Sequence, residues 1–135
     1  MNKITILIAT VSPEKDKFLD NISKEDIYTF YPESGKHPLQ QKEMAKELTN
    51  DYKDNPNNLI IDTFSDHLIN TIRYLVFLGK INHNDVDIIY IYDDKREDVK
   101  ISKLGKFVDK NGENSFPNGF YDATLKEIYQ INKGV

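Results

Sequence analysis

Three small groups of residues in this chain combine types and spacings that could do chemistry. Asp62, Ser65, Asp66 and His67 fall within one short segment, IDTFSDH, and offer a carboxylate–imidazole pair. Glu33 and His37 lie close together in PESGKHP. Were His37 and His67 to converge with Glu33 or Asp62, two imidazoles and one acid would suit Zn²⁺ or Fe²⁺ with an open position. Asp93, Asp94, Glu97 and Asp98 form an acidic run after an apolar stretch, and paired acids at the end of a parallel strand can hold Mg²⁺. Each group also has a plainer role. Asp66 fits the first turn of a helix, where the dipole favours negative charge, with His67 packing or capping locally. His37, just before Pro38, fits a polar loop anchor. Lys95 and Arg96 interrupt the acidic run, which reads more simply as a solvated turn between strands. The chain has no cysteine, which excludes disulfides, thiolate catalysis and Cys-ligated zinc.

These residues need elements to hold them, and the pattern supplies an alternation of strands and helices. Ile4–Thr10 is a β-branched run that reads as a buried strand. Ser12, Pro13 and Glu14 then open a helix as N-cap, first helical residue and first-turn acid, with Phe18, Leu19 and Ile22 as its apolar face. Asp26–Tyr31 is a second strand, stopped by Pro32. Pro38–Asp54 is a helix with Leu39, Met44, Leu48 and Tyr52 toward the core and Glu43 and Lys46 toward solvent. After the Asn55-Pro56-Asn57-Asn58 turn, Leu59–Phe64 is a third strand. A helix follows from Asp66 to about Leu78, with Ser65 as N-cap and Gly79 as stop. Val86–Tyr92 is a fourth strand. Such alternation implies βαβ units and a largely parallel sheet covered on both faces.

The last third differs. Val99–Leu104 and Gly105–Val108 read as two short strands, Lys110-Asn111-Gly112 as a tight turn, Phe116–Phe120 as an aromatic turn, and Asp122–Asn132 as a final helix. Asp109 reads as a turn acid. The expected architecture is one α/β domain over 1–135: a core over 1–98 and a hairpin-plus-helix cap over 99–135. Its many aromatic residues, Tyr28, Tyr90, Tyr92, Phe120 and Tyr121 among them, lie mostly on strands and read largely as core.

At 135 residues the chain can bury one real core. A net charge of −4 with scattered lysines argues against direct nucleic-acid binding. The apolar run near the N-terminus is too short to span a bilayer and carries no cleavage-site pattern, so the expected setting is cytoplasmic, without membrane attachment.

Three segments in order resemble the C-terminal half of ABC/RecF-like AAA-type ATPases. Phe30–Pro38, with the helix carrying Gln41, looks like a Walker B strand end and the acid-x-P-E-x-H-x-H-P run after it. Ile61–Asn70, IDTFSDHLIN, is similar to an E-T-H-S-D-H switch segment. Phe107–Gly112 with Phe116–Asp122 is similar to a closing W-P-x-G-F-F-D module. Together they cover roughly residues 26–130; each motif alone is moderately specific, and it is their shared order that carries the resemblance.

That resemblance implies a partial P-loop ATPase core in which the catalytic groups are replaced. The Walker B carboxylate, which would hold Mg²⁺, corresponds to Phe30. The neighbouring position, which helps orient the attacking water, corresponds to Tyr31. Glu33 and His37 are retained, but the first His of the H-x-H-P run is Gly35. The switch histidine corresponds to Phe64, while Ser65, Asp66 and His67 remain and read as shaping the turn. No G-x-x-x-x-G-K-[ST] loop occurs. The expectation is a non-catalytic pseudo-ATPase fragment without a cofactor. It would act as an interaction or regulatory module with a DNA-processing or phage-defence ATPase or nuclease, or by self-association. Two alternatives stay open. One is a small metal-dependent hydrolase or nuclease using Glu33, His37, Asp62 and His67 or the Asp93–Asp94 pair. The other is a chain that completes a nucleotide site in trans.

Overall fold

The computed structural model of the chain describes residues 3–109 and 111–113. In order the elements are β1 (Ile4–Ala9), α1 (Pro13–Asp20), β2 (Ile27–Tyr31), α2 (Pro38–Asp54), β3 (Leu59–Thr63), α3 (Asp66–Phe77), a 3₁₀ turn (His83–Asp85), β4 (Val86–Tyr92), β5 (Lys95–Ile101) and β6 (Phe107–Val108). The expected aromatic turn Phe116–Phe120 and final helix Asp122–Asn132 lie outside the described residues.

The strands form one six-stranded sheet in the order β2-β3-β1-β4-β5-β6. β2, β3, β1 and β4 are mutually parallel, while β5 and β6 continue the sheet antiparallel. The fold is therefore α/β with a mostly parallel sheet, as the alternation predicts. β1 sits centrally because ITILIA is apolar on both sides of the pleat, which suits a strand covered above and below. Its even-numbered residues Ile4, Ile6 and Ile8 join Ile61, Val86 and Ile88 against Leu48 of α2 and Leu68, Ile69 and Ile72 of α3. On the opposite face Leu7, Ala9, Ile60, Ile89 and Ile91 meet Phe18, Leu19 and Ile22 in and just after α1.

The split of helices between faces follows from the direction of travel. β1 to β2 moves outward past β3, whereas β2 to β3 and β3 to β4 move back the other way. Parallel crossovers keep one hand, so reversing direction puts the connecting helix on the other face. The loops leaving β1 and β3, which are neighbours, diverge to opposite faces. This is a topological switch point, where open α/β sheets form a crevice outside the carboxyl ends of their strands.

Three expectations need correction. In α2 the buried residues are Gln41, Ala45, Leu48, Thr49 and Tyr52, and Leu39 is exposed. The helix begins at Pro38, and its three-to-four spacing places position 41, not 39, in phase with the buried stripe. β5 begins at Lys95, so the expected division after residue 98 falls inside a strand, and Glu97 and Asp98 belong to that strand rather than to a turn. The physical cause is a two-residue reversal at Asp93 and Asp94, both with positive φ (54° and 56°), which passes β4 directly into its antiparallel neighbour. Finally, Tyr90 is core as expected, but Tyr28 and Tyr92 are exposed; of the three ATPase-like positions Phe30 and Phe64 are exposed while Tyr31 is buried in the core. Tyr28 and Phe30 lie on the edge strand β2, and Phe64 and Tyr92 lie at or just past the carboxyl ends of β3 and β4.

Candidate functional site

The carboxyl ends of β2, β3, β1 and β4 make one end of the sheet, and two of the three segments singled out in the sequence, Phe30–Pro38 and Ile61–Asn70, reach it; the described part of the third, Phe107–Val108, lies at the amino end of β4. Phe30 is 61% exposed and Phe64 42%, while Tyr31 is only 6% exposed and packs into the larger core. Val11, in the loop leaving β1, is 92% exposed, and Tyr92 at the end of β4 is exposed as well. Four exposed apolar side chains thus stand at the rim, beside the exposed Glu33, Asp66, Asp93 and Asp94.

Behind that rim a polar network fixes the strand ends and helix starts. The Thr63 hydroxyl donates to the Tyr31 carbonyl at 2.9 Å and accepts from the Ser65 N–H at 3.0 Å. Ser65, fully buried, caps α3 by accepting from the Leu68 N–H at 3.0 Å, and its hydroxyl donates to Gln41 Oε1. Gln41 in turn donates to the Lys36 carbonyl at 3.1 Å. One chain of hydrogen bonds therefore joins β2, β3, α2 and α3 with its buried polar groups satisfied. His37 caps α2: its Nδ1 accepts from the Leu39 N–H at 3.1 Å, and its own N–H donates to Gln40 Oε1 at 3.0 Å. Its proton-accepting nitrogen is taken up by the helix.

Glu33, Asp66 and His67 do come near one another. His67 Nε2 lies 3.9 Å from Asp66 Oδ1, with both side chains substantially exposed. Partial desolvation and then the Asp66 carboxylate push the Glu33 carboxyl above its ordinary range, with His67 acting the other way. The structure does not bring the wider set together. Asp62 belongs to the α1 face of the sheet, and His37 to a helix cap. Among the described residues no group of three or more His, Cys, Asp or Glu side chains is placed to hold a metal ion.

Asp62 has partners that spacing alone did not reveal. It is 2% exposed, on β3 opposite Leu7 and Phe30. Lys15 of α1 reaches it with Nζ at 3.0 Å from Oδ2, and the Tyr28 hydroxyl donates to the same oxygen. Burial, the hydrogen bond to Asp62 and its charge push the Tyr28 phenol up to about 12. The available signal was the acid itself, because a carboxylate inside a fully buried five-residue strand must have a partner.

The acidic pair Asp93–Asp94 forms the β4–β5 turn, and Asp94 Oδ1 accepts from the Glu14 N–H at 2.9 Å, tying that turn to the first turn of α1. Asp109 accepts from the Asn111 and Glu113 N–H groups at 2.8 and 3.1 Å, the chemistry of a turn acid. Among the described residues no helix is long and apolar enough to cross a membrane. Comparison of the chain with known protein families, curated proteins and solved structures finds no match.

Proposed function

We propose that this chain is a non-catalytic, cytoplasmic pseudo-ATPase module that acts by binding a protein partner, an ATPase or a nuclease, through the carboxyl end of its sheet. The observation that carries the reading is the exposure of Val11, Phe30, Phe64 and Tyr92 around the switch-point crevice. Exposed aromatic and aliphatic side chains at one rim favour a protein interface over a phosphate site. Two of the ionisable residues nearby have other work: Asp62 binds Lys15 and Tyr28, and His37 caps a helix.

The direct test is a tagged pull-down from the native cell, comparing the wild type with Phe64→Asp. A discrete ATPase or nuclease that co-purifies with the wild type and is lost with Phe64→Asp, while the variant stays folded, is the expected result. Equal recovery by both would remove this face from the interface. Mg-ATP provides a second check. A site with Kd of about 0.1 mM would add about 1.4 kcal/mol at about 1 mM ligand, a rise in Tm of several degrees. We expect no rise for the isolated chain. A clear rise would overturn the claim of a lost site, and a rise seen only with the partner present would favour completion of a nucleotide site in trans.

A further inference from the structure

A second surface, along the β2 edge of the sheet and meeting the carboxyl rim at Phe30, has the features of a strand-capture site. Among the described residues β2 ends the sheet with β3 as its one neighbour. The Ile27 N–H donates to the Asn58 carbonyl at 2.9 Å, so Ile27, Thr29 and Tyr31 direct their backbone groups toward β3. By the alternation of a strand, the N–H and C=O groups of Tyr28 and Phe30 face the open margin. Edge strands are ordinarily protected by a lysine, a proline or a bulge. The β2 sequence, IYTFY, has no charge and no proline, and its ladder with β3 runs unbroken from Ile27 to Tyr31.

Both faces beside this edge can receive side chains. On the α2 face a groove of about 350 Å³ opens between Ile27 and Thr29 of β2 and Leu48 and Tyr52 of α2. Asp51 and Asp54 stand at its rim, both exposed, and none of its described lining residues is basic. On the α1 face Tyr28 and Phe30 present exposed rings. A strand added to β2 would send alternate side chains into the groove and onto the rings, the pattern by which sheet-edge binders read sequence.

We propose that β2 captures an extended peptide segment of a partner, one with apolar side chains at alternate positions and lysine or arginine where it passes Asp51 and Asp54. The carboxylates set the sign of the partner's charge. They also disfavour a second copy of this chain: a two-fold antiparallel pairing centred on Thr29 sets Glu25 against the other copy's Glu33, both exposed, on a chain of net charge −4. The site goes beyond the proposed module function, because it stands whether or not the carboxyl rim engages a partner.

A fluorescein-labelled octapeptide alternating lysine and valine, titrated by anisotropy against the intact chain, tests this. The comparators are the same peptide N-methylated at alternate amides and one with glutamate for lysine. Expected is saturable binding of the lysine peptide that N-methylation abolishes although the charge is unchanged. Asp51→Asn with Asp54→Asn should weaken it about fivefold, the scale of two exposed ion pairs. Phe30→Pro removes an outward N–H that the ladder with β3 does not use and should abolish binding, whereas Phe30→Ala keeps the N–H and should lose far less. Should Phe30→Pro fail to fold, the N-methylated peptide still reads the backbone contribution. Binding indifferent to N-methylation, or no binding of the lysine peptide, overturns the proposal. Concentration-dependent dimerisation in place of peptide binding reassigns the edge to self-pairing.

Discussion

Asp62 illustrates how a single side chain constrains its surroundings. A carboxylate at 2% exposure is costly to desolvate, and Lys15 and Tyr28 offset that cost from α1 and β2 respectively. Lys15→Met leaves the carboxylate with Tyr28 alone and should cost about 3 kcal/mol in urea unfolding. Adding Asp62→Asn should recover part of the loss. A cost under about 1 kcal/mol would mean that the pair behaves as a surface ion pair. Tyr28 adds a pH dependence of definite sign. Its folded pKa is raised from 10 to about 12, so the stability it contributes is complete below about pH 10 and is lost as pH climbs toward 12. Urea unfolding at stepped alkaline pH should show a shallower decline in Tyr28→Phe than in the wild type. Parallel declines would show that another group, such as Tyr52, whose phenol burial and Asp85 also push up, governs the alkaline limb. The presence of Asp62 in a buried strand was legible, but its partners were not, because they come from segments well separated along the chain.

Between elements, the junction of α3 with the β5–β6 turn combines a hydrogen bond, a cation–π contact and a close backbone approach. Arg73 donates from Nε to the Gly105 carbonyl at 2.8 Å and stacks its guanidinium over Phe107, 4.0 Å from the ring centre. Gly105 has φ of +76°, and a Cβ there would come within 2.7 Å of the Arg73 carbonyl oxygen. Gly79, which ends α3, has φ of +75° but open space around it. Gly79→Ala should therefore show only the left-handed penalty, about 1 kcal/mol, and Gly105→Ala at least about 2 kcal/mol because helix backbone must also move. Equal losses by chemical denaturation would show that the close approach is relieved cheaply. Sequence patterning located α2, α3 and β4 closely, since long apolar periods and caps such as Ser65 and Gly79 are local signals. It placed the start of β5 late because KREDVKI alternates weakly and its charged positions mimic a loop.

Across the molecule, strand order decides what the chain can do. β1 lies between β3 and β4, so the loops after β1 and β3 part to opposite faces and the segments following β2 and β3 meet at one rim, whereas Phe107–Val108 pairs beside the amino end of β4. At that rim Val11, Phe30, Phe64 and Tyr92 are exposed beside Glu33 and Asp66. Phe30→Asp, Tyr31→Glu and Phe64→His together should give no ATP turnover, because catalysis of this kind depends on a phosphate cradle that no segment of the chain encodes. The same variant should be less stable, since position 31 is buried and an acid there lacks a partner. Turnover in a phosphate-release assay would contradict the reading of a lost site.

Residue order along the chain sufficed for the α/β class, the parallel strands and most helix limits. Those features arise from periodicity, capping and turn chemistry that act over a few neighbouring residues. Strand order, the exposed margin of β2, the groove beside α2 and the burial of Asp62 against Lys15 emerged only on folding. Each depends on which distant segments become neighbours, and that is settled by the summed burial and crossover hand of the whole chain rather than by any local pattern.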